Sequence, residues 1–208
     1  MNVELLEITP DAEKHIEQAG RTCYQSHDNT REDSEKTFIE KIIKNGHHSV
    51  LEHGYASFRI NGVSRSLTHQ LVRHRLMAIS QQSQRYCNEE NFAYVTPDAI
   101  KDNPQAQKLF DEFMAVAKES YCKLQQAGLK NEDARYVLPN AVCSEIVISA
   151  NFRQLRHIFA LRCSPKAQLE IRKCALSMLR IMKHHVPAVF GDFVIDSEKR
   201  TAGSPFAY

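Results

Sequence analysis

The sequence predicts an α+β fold, because helical and strand-like patterns both occur but do not alternate as they do around a doubly wound parallel sheet. The clearest helical stripe lies within residues 105–126, and the clearest strand alternation within residues 55–61. We expect a central mixed or antiparallel sheet flanked by helices. The chain has seven glycines and no Gly-x-Gly-x-x-Gly run, so any dinucleotide must be held by side chains rather than by a Rossmann turn.

The first third of the chain predicts two strands and three helices. In chain order these are a strand over residues 2–8, a helix with Pro10 in its first turn and Ala12, Ile16 and Ala19 along it, a polar loop over residues 25–33, a helix with Phe38, Ile39, Ile42 and Ile43 on one face, a strand over residues 55–61 that buries Ala56, Phe58 and Ile60, and a helix over residues 64–73. Gly46 should end the second helix, since glycine readily adopts the left-handed backbone found there.

The rest of the chain is predicted to be mainly helical. It comprises an extended piece at residues 92–95, a helix over residues 105–126 whose stripe of Leu109, Phe110, Phe113, Met114, Ala117, Tyr121 and Leu124 is expected to be core, a turn capped by Asn131, a buried strand at residues 146–148, and helices over residues 151–161 and 166–185. The last twenty residues look irregular.

Composition limits the classes of protein to consider. With 208 residues and 42% hydrophobic content, the chain suits a single domain spanning residues 1–208. A net charge of +2 is too small for a nucleic-acid coat, so any basic site must be local. Six cysteines without a Cys-x-x-Cys pair favour reduced thiols in the cytoplasm. No run approaches the roughly 20 apolar residues of a membrane-spanning helix, so we expect no membrane partner.

Residues 73–86 carry the strongest functional signal, because Arg73, His74, Arg75 and Arg85 surround a run of serines and glutamines at a predicted helix end. Guanidiniums can bind phosphate through paired, charge-assisted hydrogen bonds, while the hydroxyls and amides can contact a neutral heterocycle. A solvated turn with capping serines would also explain the charge. The order of these residues is more specific than their charge. Arg73-His74-Arg75 is followed after seven residues by Ser83, and then by Arg85-Tyr86. This order resembles the signature of the flavin-dependent thymidylate synthases.

Four further segments carry the same resemblance. They are Arg21-Thr22-Cys23-Tyr24, which packing would explain equally well, the block from Gly46 to His53, the segment from Ala134 to Asn140, and the segment from Asn151 to Arg162. In the last of these, Arg153, His157 and Leu161 recur every four residues and so share a helical face, where a planar cofactor could lie. A surface arginine with a satisfied histidine is the alternative.

The resemblance implies a role for each matching residue. The implied FAD contacts are Ser49, Glu52, Arg73, His74, Arg75, Asn151, Arg153, His157 and Leu161. The implied contacts to dUMP are Gln70, Gln81, Ser83, Arg85, Arg135 and Arg162. Arg162, His47 and Ser83 are the candidates for catalytic roles, with Arg162 lowering charge at the uracil carbonyls and His47 positioning the folate or moving a proton. Ser83 is assigned to binding, because no histidine lies at a spacing that guarantees its activation.

The activity implied is reductive methylation of dUMP to dTMP, with 5,10-methylenetetrahydrofolate as carbon donor and NADPH reducing FAD. A homotetramer with FAD at subunit interfaces is also implied, since the flavin contacts come from widely spaced segments. The chain departs from frequent family patterns at Gln81, where glutamate is common, at His157, where asparagine is common, and at Lys166, where histidine occurs. These departures leave the hydrogen bonding to uracil and flavin open.

Three other functions remain open at this point. A nucleic-acid-binding module would use the clustered arginines, although the balanced charge argues against it. A metal hydrolase would use His47, His48, His53, His69 or His74, although their spacing is irregular and no His-Glu-x-x-His helix is present. A degenerate paralogue would bind nucleotide without turnover.

Overall fold

The computed structural model describes residues 1–207, in which helices surround a four-stranded sheet. The strands are β1 Asn2–Ile8, β2 Tyr55–Ser64, β3 Ala78–Gln81, β4 Cys143–Asn151, β5 Val194–Asp196 and β6 Thr201–Gly203. The helices are α1 Ala12–Thr22, α2 Ser34–Lys44, α3 Arg65–Leu71, α4 Asp98–Lys101, α5 Pro104–Gln126, α6 Asn131–Ala134, α7 Phe152–Arg162, α8 Leu169–His185 and α9 Pro187–Phe190. Short 3₁₀ turns form at His27–Asn29, His48–His53 and Arg135–Val137. The predicted α+β class is confirmed.

The main sheet has the strand order β1-β2-β4-β3. The backbone N–H of Thr9 donates to the carbonyl of Tyr55, which pairs the end of β1 with the start of β2. The Ser57 and Ser149 hydroxyls lie 2.7 Å apart, near the start of β2 and the end of β4. Both contacts fit the antiparallel arrangement that was expected. Along β2, Ala56, Phe58 and Ile60 are buried as the alternation predicted.

The chain divides into two compact units. Unit 1 comprises residues 1–2, 60–73 and 80–146, and unit 2 comprises residues 3–59, 74–79 and the described chain from 147 onward. The single-domain prediction stays a prediction. In unit 1, Phe92 and Val142 form a buried cluster with Met114 and Ala117 of α5. In unit 2, the ring of Phe190 lies edge-on to Phe152 and Phe159, with centroids 5.6 and 5.7 Å apart, so aromatic packing fixes α7 against α9.

Several expectations were wrong in detail. The first helix begins at Ala12, and Pro10 precedes it because Asp11 adopts a left-handed backbone with φ of 45°. On α5 the side chains of Leu109 and Phe113 are 69% and 55% exposed rather than core. The extended piece predicted at residues 92–95 is confirmed, since Tyr94 forms an antiparallel bridge with Val142. The chain end was predicted to be irregular, but within residues 189–207 β5 and β6 pair as an antiparallel hairpin, and residue 208 lies outside the described residues.

The helix predicted over residues 64–73 is shorter in the structure, and this affects the candidate site directly. Helix α3 starts where the Ser64 hydroxyl accepts a hydrogen bond from the backbone N–H of Leu67, and it ends at Leu71. Arg73 therefore lies in the following turn and does not share a helical face with Gln70. Leu67 and Leu71 are buried, while Val72 is only half-buried.

Candidate active site

Three of the predicted residues form one cluster in unit 2. The Arg162 Nε–H donates to Nε2 of His74 over 2.8 Å, and the His74 and His157 rings are 5.9 Å apart, edge to face. His74 is buried, and this burial, with Arg162 and then His157 nearby, lowers its pKa from 6.5 to about 4. His74 is therefore a neutral imidazole at neutral pH, with an unprotonated nitrogen that orients the guanidinium.

The exposed face of α7 carries Arg153, His157 and Leu161, as the four-residue spacing predicted. Asn151 caps this helix, because its side-chain oxygen accepts the backbone N–H of Gln154 at 2.8 Å. Sequence reasoning had assigned Asn151 to flavin only, although asparagine just before a helix is itself a capping signal.

A close approach of two backbones places Glu52 beside Arg153. A Cβ atom on Gly54 would lie 2.4 Å from the Phe152 ring, so only glycine fits there. The Gly54 carbonyl accepts the Phe152 N–H at 2.8 Å, which holds the His48–His53 turn against the start of α7. The Arg153 guanidinium then meets the Glu52 carboxylate at 2.5 Å, and both groups remain exposed to solvent.

A cleft of about 810 Å³ opens beside Arg153 in unit 2. Its wall includes the predicted residues His47 and Ser49, together with residues of the Arg21–Tyr24 segment. Arg21 itself is held by structure, since its guanidinium donates to the buried Glu17 carboxylate at 2.6 and 2.9 Å and lies over the Phe38 ring at 5.1 Å. Cys23 and Tyr24 are exposed on the cleft wall, Tyr24 by 76%, so the interpretation of this element as core packing was wrong for both.

Arg73 and Arg75 differ from the other arginines of the site. Both side chains are exposed, and within residues 1–207 neither guanidinium has a hydrogen bond or ion pair. The two residues flank His74 in the sequence, and uncompensated guanidiniums suit an anionic ligand such as a pyrophosphate. The residues present therefore fit a flavin dinucleotide.

A second group of predicted residues lies in unit 1. The Arg85 Nε donates to one carboxylate oxygen of Glu132 at 3.0 Å, and Nη2 forms an ion pair with the same oxygen at 2.8 Å. The Arg135 Nε donates to the Glu132 backbone carbonyl at 3.2 Å. Glu132 thus joins two arginines that were both predicted to bind dUMP, and no sequence motif pointed to it. The hydrogen bond between the two side chains raises the pKa of Arg85 and lowers the pKa of Glu132.

The neutral side chains of unit 1 are already hydrogen-bonded. The Gln81 amide donates to the hydroxyls of Thr68 and Ser144 at 2.8 and 3.2 Å, and the Gln70 amide donates to the Ser66 carbonyl at 3.1 Å. The Ser83 hydroxyl accepts the backbone N–H of Arg85 at 3.3 Å. This contact makes Ser83 part of the turn, and its assignment to binding stays a prediction.

Two features of residues 1–207 bear on the metal-site and membrane expectations. No group of three or more His, Cys, Asp or Glu side chains is placed to hold a metal ion. No helix in that range is both long and apolar enough to cross a membrane. The six cysteines are all unpaired.

Comparisons with known proteins agree with the motifs. A family model described as thymidylate synthase complementing protein matches residues 4–188. A flavin-dependent thymidylate synthase from Geobacter sulfurreducens is 42% identical over 200 residues, which cover 92% of this chain and 86% of that protein. One from Mycolicibacterium vanbaalenii is 40% identical over 212 residues, covering 92% and 85%.

Solved structures agree as well. A flavin-dependent thymidylate synthase from Helicobacter pylori complexed with FAD and dUMP matches with a TM-score of 0.77 and 28% identity, over 92% of this chain and 99% of that chain. A UMP/dUMP methylase from Streptomyces cacaoi, bound with 5-Br dUMP, matches with a TM-score of 0.82 and 24% identity, over 91% and 93%, and supports the fold alone. On the family model and the curated relatives, this chain belongs to the flavin-dependent thymidylate synthase family.

Proposed function

We propose that this chain methylates dUMP reductively to dTMP, with 5,10-methylenetetrahydrofolate as carbon donor and NADPH as the reductant of FAD. Family membership and the ligands of the Helicobacter pylori structure support this reaction. The observation that carries the proposal is the pair of exposed guanidiniums on Arg73 and Arg75, which lack a partner within residues 1–207. Both residues lie inside the family signature, and exposed guanidiniums of this kind bind anions.

The flavin is assigned to residues that present cations, hydrogen-bonding groups and an apolar surface. Arg73 and Arg75 would bind its pyrophosphate, and the exposed face of α7 would support its ring system. The remaining contacts are assigned to Ser49, Glu52, His74, Asn151, Arg153, His157 and Leu161. When bound, FAD reduced by NADPH supplies the hydride.

The nucleotide phosphate is assigned to Arg85 and Arg135. A dianionic phosphate is a stronger acceptor than the Glu132 carboxylate, and it would replace that carboxylate on Arg85. Gln70, Gln81 and Ser83 would contact the uracil and the sugar with neutral groups. This exchange needs little rearrangement, because Glu132 already holds Arg85 and Arg135 in one place.

Arg162 is assigned the electrostatic part of the reaction. Because neutral His74 accepts from its Nε, the guanidinium is oriented before any substrate arrives. A preorganised cation stabilises the negative charge that develops on a uracil carbonyl, and no further rearrangement is needed. His47, exposed on the cleft wall, is assigned to folate positioning or proton traffic.

The assembly and location are also proposals. The flavin contacts come from widely spaced segments of the chain, and a homotetramer with FAD at subunit interfaces would satisfy them. Light scattering on the purified protein should then give the mass of four 23.8 kDa subunits. A cytoplasmic location fits the six unpaired thiols.

The decisive experiment is an anaerobic assay with dUMP, methylenetetrahydrofolate, FAD and NADPH, scored for dTMP. Purified protein should be yellow, and Arg85→Ala should lose most of the dTMP. Arg59→Ala is the matched control, since Arg59 is an exposed arginine paired with Glu4 at 3.5 Å. Folded, flavin-loaded wild type that makes no dTMP would leave only a binding role.

A further inference from the structure

The segment from Gln81 to Arg85 presents three of the proposed dUMP contacts, and its second residue is anchored on three sides. The Gln82 backbone N–H donates to the Glu145 carbonyl at 2.9 Å, and the Gln82 carbonyl accepts from Arg65 Nη1 at 3.2 Å. The Gln82 side-chain amide donates to the Glu89 carboxylate at 3.1 Å. The segment is therefore fixed at Gln82 in addition to the hydrogen bonds that Gln81 and Arg85 make with their side chains.

Glu89 is itself held rigidly. Its side chain is buried, with 4% of the residue exposed, and its backbone N–H donates to the hydroxyl of Tyr121 at 3.2 Å. Tyr121 is fully buried on α5. Glu89 thus connects the substrate segment to the longest helix of unit 1.

Arg65 joins this anchor to Gln81. Besides the Gln82 carbonyl, its Nη1 reaches the Ser144 hydroxyl at 3.4 Å, and the same hydroxyl accepts from the Gln81 amide at 3.2 Å. The Arg65 charge lies close enough to Glu89 to oppose the rise in the Glu89 pKa that burial causes. One polar network therefore runs from Glu89 through Gln82 and Arg65 to Gln81.

Stability alone does not account for this network. Burying a carboxylate costs desolvation free energy, and an apolar side chain of similar volume is often at least as stable in such a place. A buried polar network does, however, fix one geometry when its members are satisfied. What the Glu89 carboxylate adds is a defined position for the Gln82 amide.

We propose that Glu89 and Arg65 are positioning residues for the pyrimidine nucleotide: by anchoring Gln82 they hold Gln81 and Ser83 where dUMP is bound. The inference rests on the proposed function. It concerns unit 1 only and assigns neither residue a contact with the nucleotide.

The test is a double-mutant cycle on dUMP binding, measured by calorimetry on the FAD-loaded enzyme. Glu89→Ala and Gln82→Met each remove one side of the same hydrogen bond. Each should raise the Kd and KM for dUMP by about tenfold, with a smaller effect on kcat, and the double variant should match either single variant because the two changes remove one interaction. Glu89→Gln keeps an acceptor for Gln82 and should restore binding to within about threefold.

Controls separate positioning from general damage. Glu90→Ala changes the neighbouring carboxylate, which is exposed and meets only the Asn88 and Asn91 amides at 3.4 Å, so it should bind dUMP like wild type. FAD affinity should be unchanged in all variants. Loss of FAD and dUMP together would indicate a purely structural role and overturn the inference. If Glu89→Ala does not fold, Gln82→Met with wild-type dUMP affinity overturns it equally.

Failure of the proposed function gives a different result. Wild type that is loaded with FAD but does not bind dUMP refutes the function, and the inference with it, before any variant is compared. Wild type that binds dUMP while Glu89→Ala and Gln82→Met bind it equally well refutes the positioning role alone.

Discussion

The buried His74 makes the stability of this protein depend on pH in a direction that the structure defines. Its Nε2 accepts from Arg162, and burial beside that guanidinium lowers its pKa from 6.5 to about 4. In the unfolded chain the imidazole takes up a proton near its ordinary pKa, whereas in the folded protein it stays neutral to lower pH. The free energy of unfolding therefore falls as the pH is lowered through this window.

The size of the effect follows from the two pKa values. The interval from 6.5 to about 4 corresponds to a full loss of about 3 kcal/mol, at about 1.4 kcal/mol for each pKa unit. Between about pH 7 and pH 5 the linkage relation gives about 2 kcal/mol of that total. His74→Gln should lack this pH-dependent loss of stability, because the glutamine carbonyl can accept a hydrogen bond from Arg162 without titrating.

Urea unfolding at several pH values measures the difference. Wild type should lose about 2 kcal/mol more than His74→Gln between about pH 7 and pH 5. His184→Gln makes the same change at an exposed histidine at the end of α8 and should keep the wild-type pH dependence. Equal pH dependence in wild type and His74→Gln would refute the buried neutral imidazole.

Three other predictions concern the charged groups. Glu132→Gln removes the anion paired with Arg85 and should tighten dUMP binding by about threefold at low ionic strength. Calorimetry would compare it with Glu119→Gln, which makes the same change at a similar exposed pair and should bind dUMP like wild type. Weaker binding by Glu132→Gln would mean that the carboxylate orients the arginine. Arg73→Ala should weaken FAD binding by at least about tenfold in a fluorescence titration, and unchanged affinity would contradict its assignment to the pyrophosphate. Arg156→Met should cost about 3–5 kcal/mol in chemical denaturation, because it removes the cation that binds the Asp192 carboxylate through two bonds of 2.6 and 2.7 Å and leaves that charge with the Ser204 hydroxyl. A loss below about 1 kcal/mol would show that solvent compensates.

The sequence predicted most elements because their patterns are local. The alternation in β2 and the apolar face of α2 depend on periodicity over a few residues, and both are confirmed. The hairpin of β5 and β6 was missed, since strands of three residues are too short for alternation to be recognised. Leu109 was predicted to be buried because a stripe reveals which side of a helix is apolar, not how much of that side is covered.

The candidate site divides in the same way. Residues of the Arg73–Tyr86 signature could be identified because a motif fixes their order, and Arg153, His157 and Leu161 could be placed on one helical face by their spacing. Glu132 and Glu89 could not, because their roles come from contacts across 47 and seven positions respectively and neither stands in a recognisable pattern. Carboxylates that pair with functional cations leave no periodic trace in a sequence where 25% of residues are charged.

The pairing of the arginines suggests how the site remains ordered before ligands bind. Arg85 and Arg153 each hold an exposed carboxylate, from Glu132 and Glu52. Exposed ion pairs contribute little to stability and are weakened by salt, so a phosphate can displace such a partner at small cost. Arg162 differs, because its neutral partner His74 orients the guanidinium without cancelling its charge. On the proposed assignments, Arg85 exchanges one anion for another when the nucleotide phosphate binds, whereas Arg162 is oriented toward the uracil by a neutral group, His74.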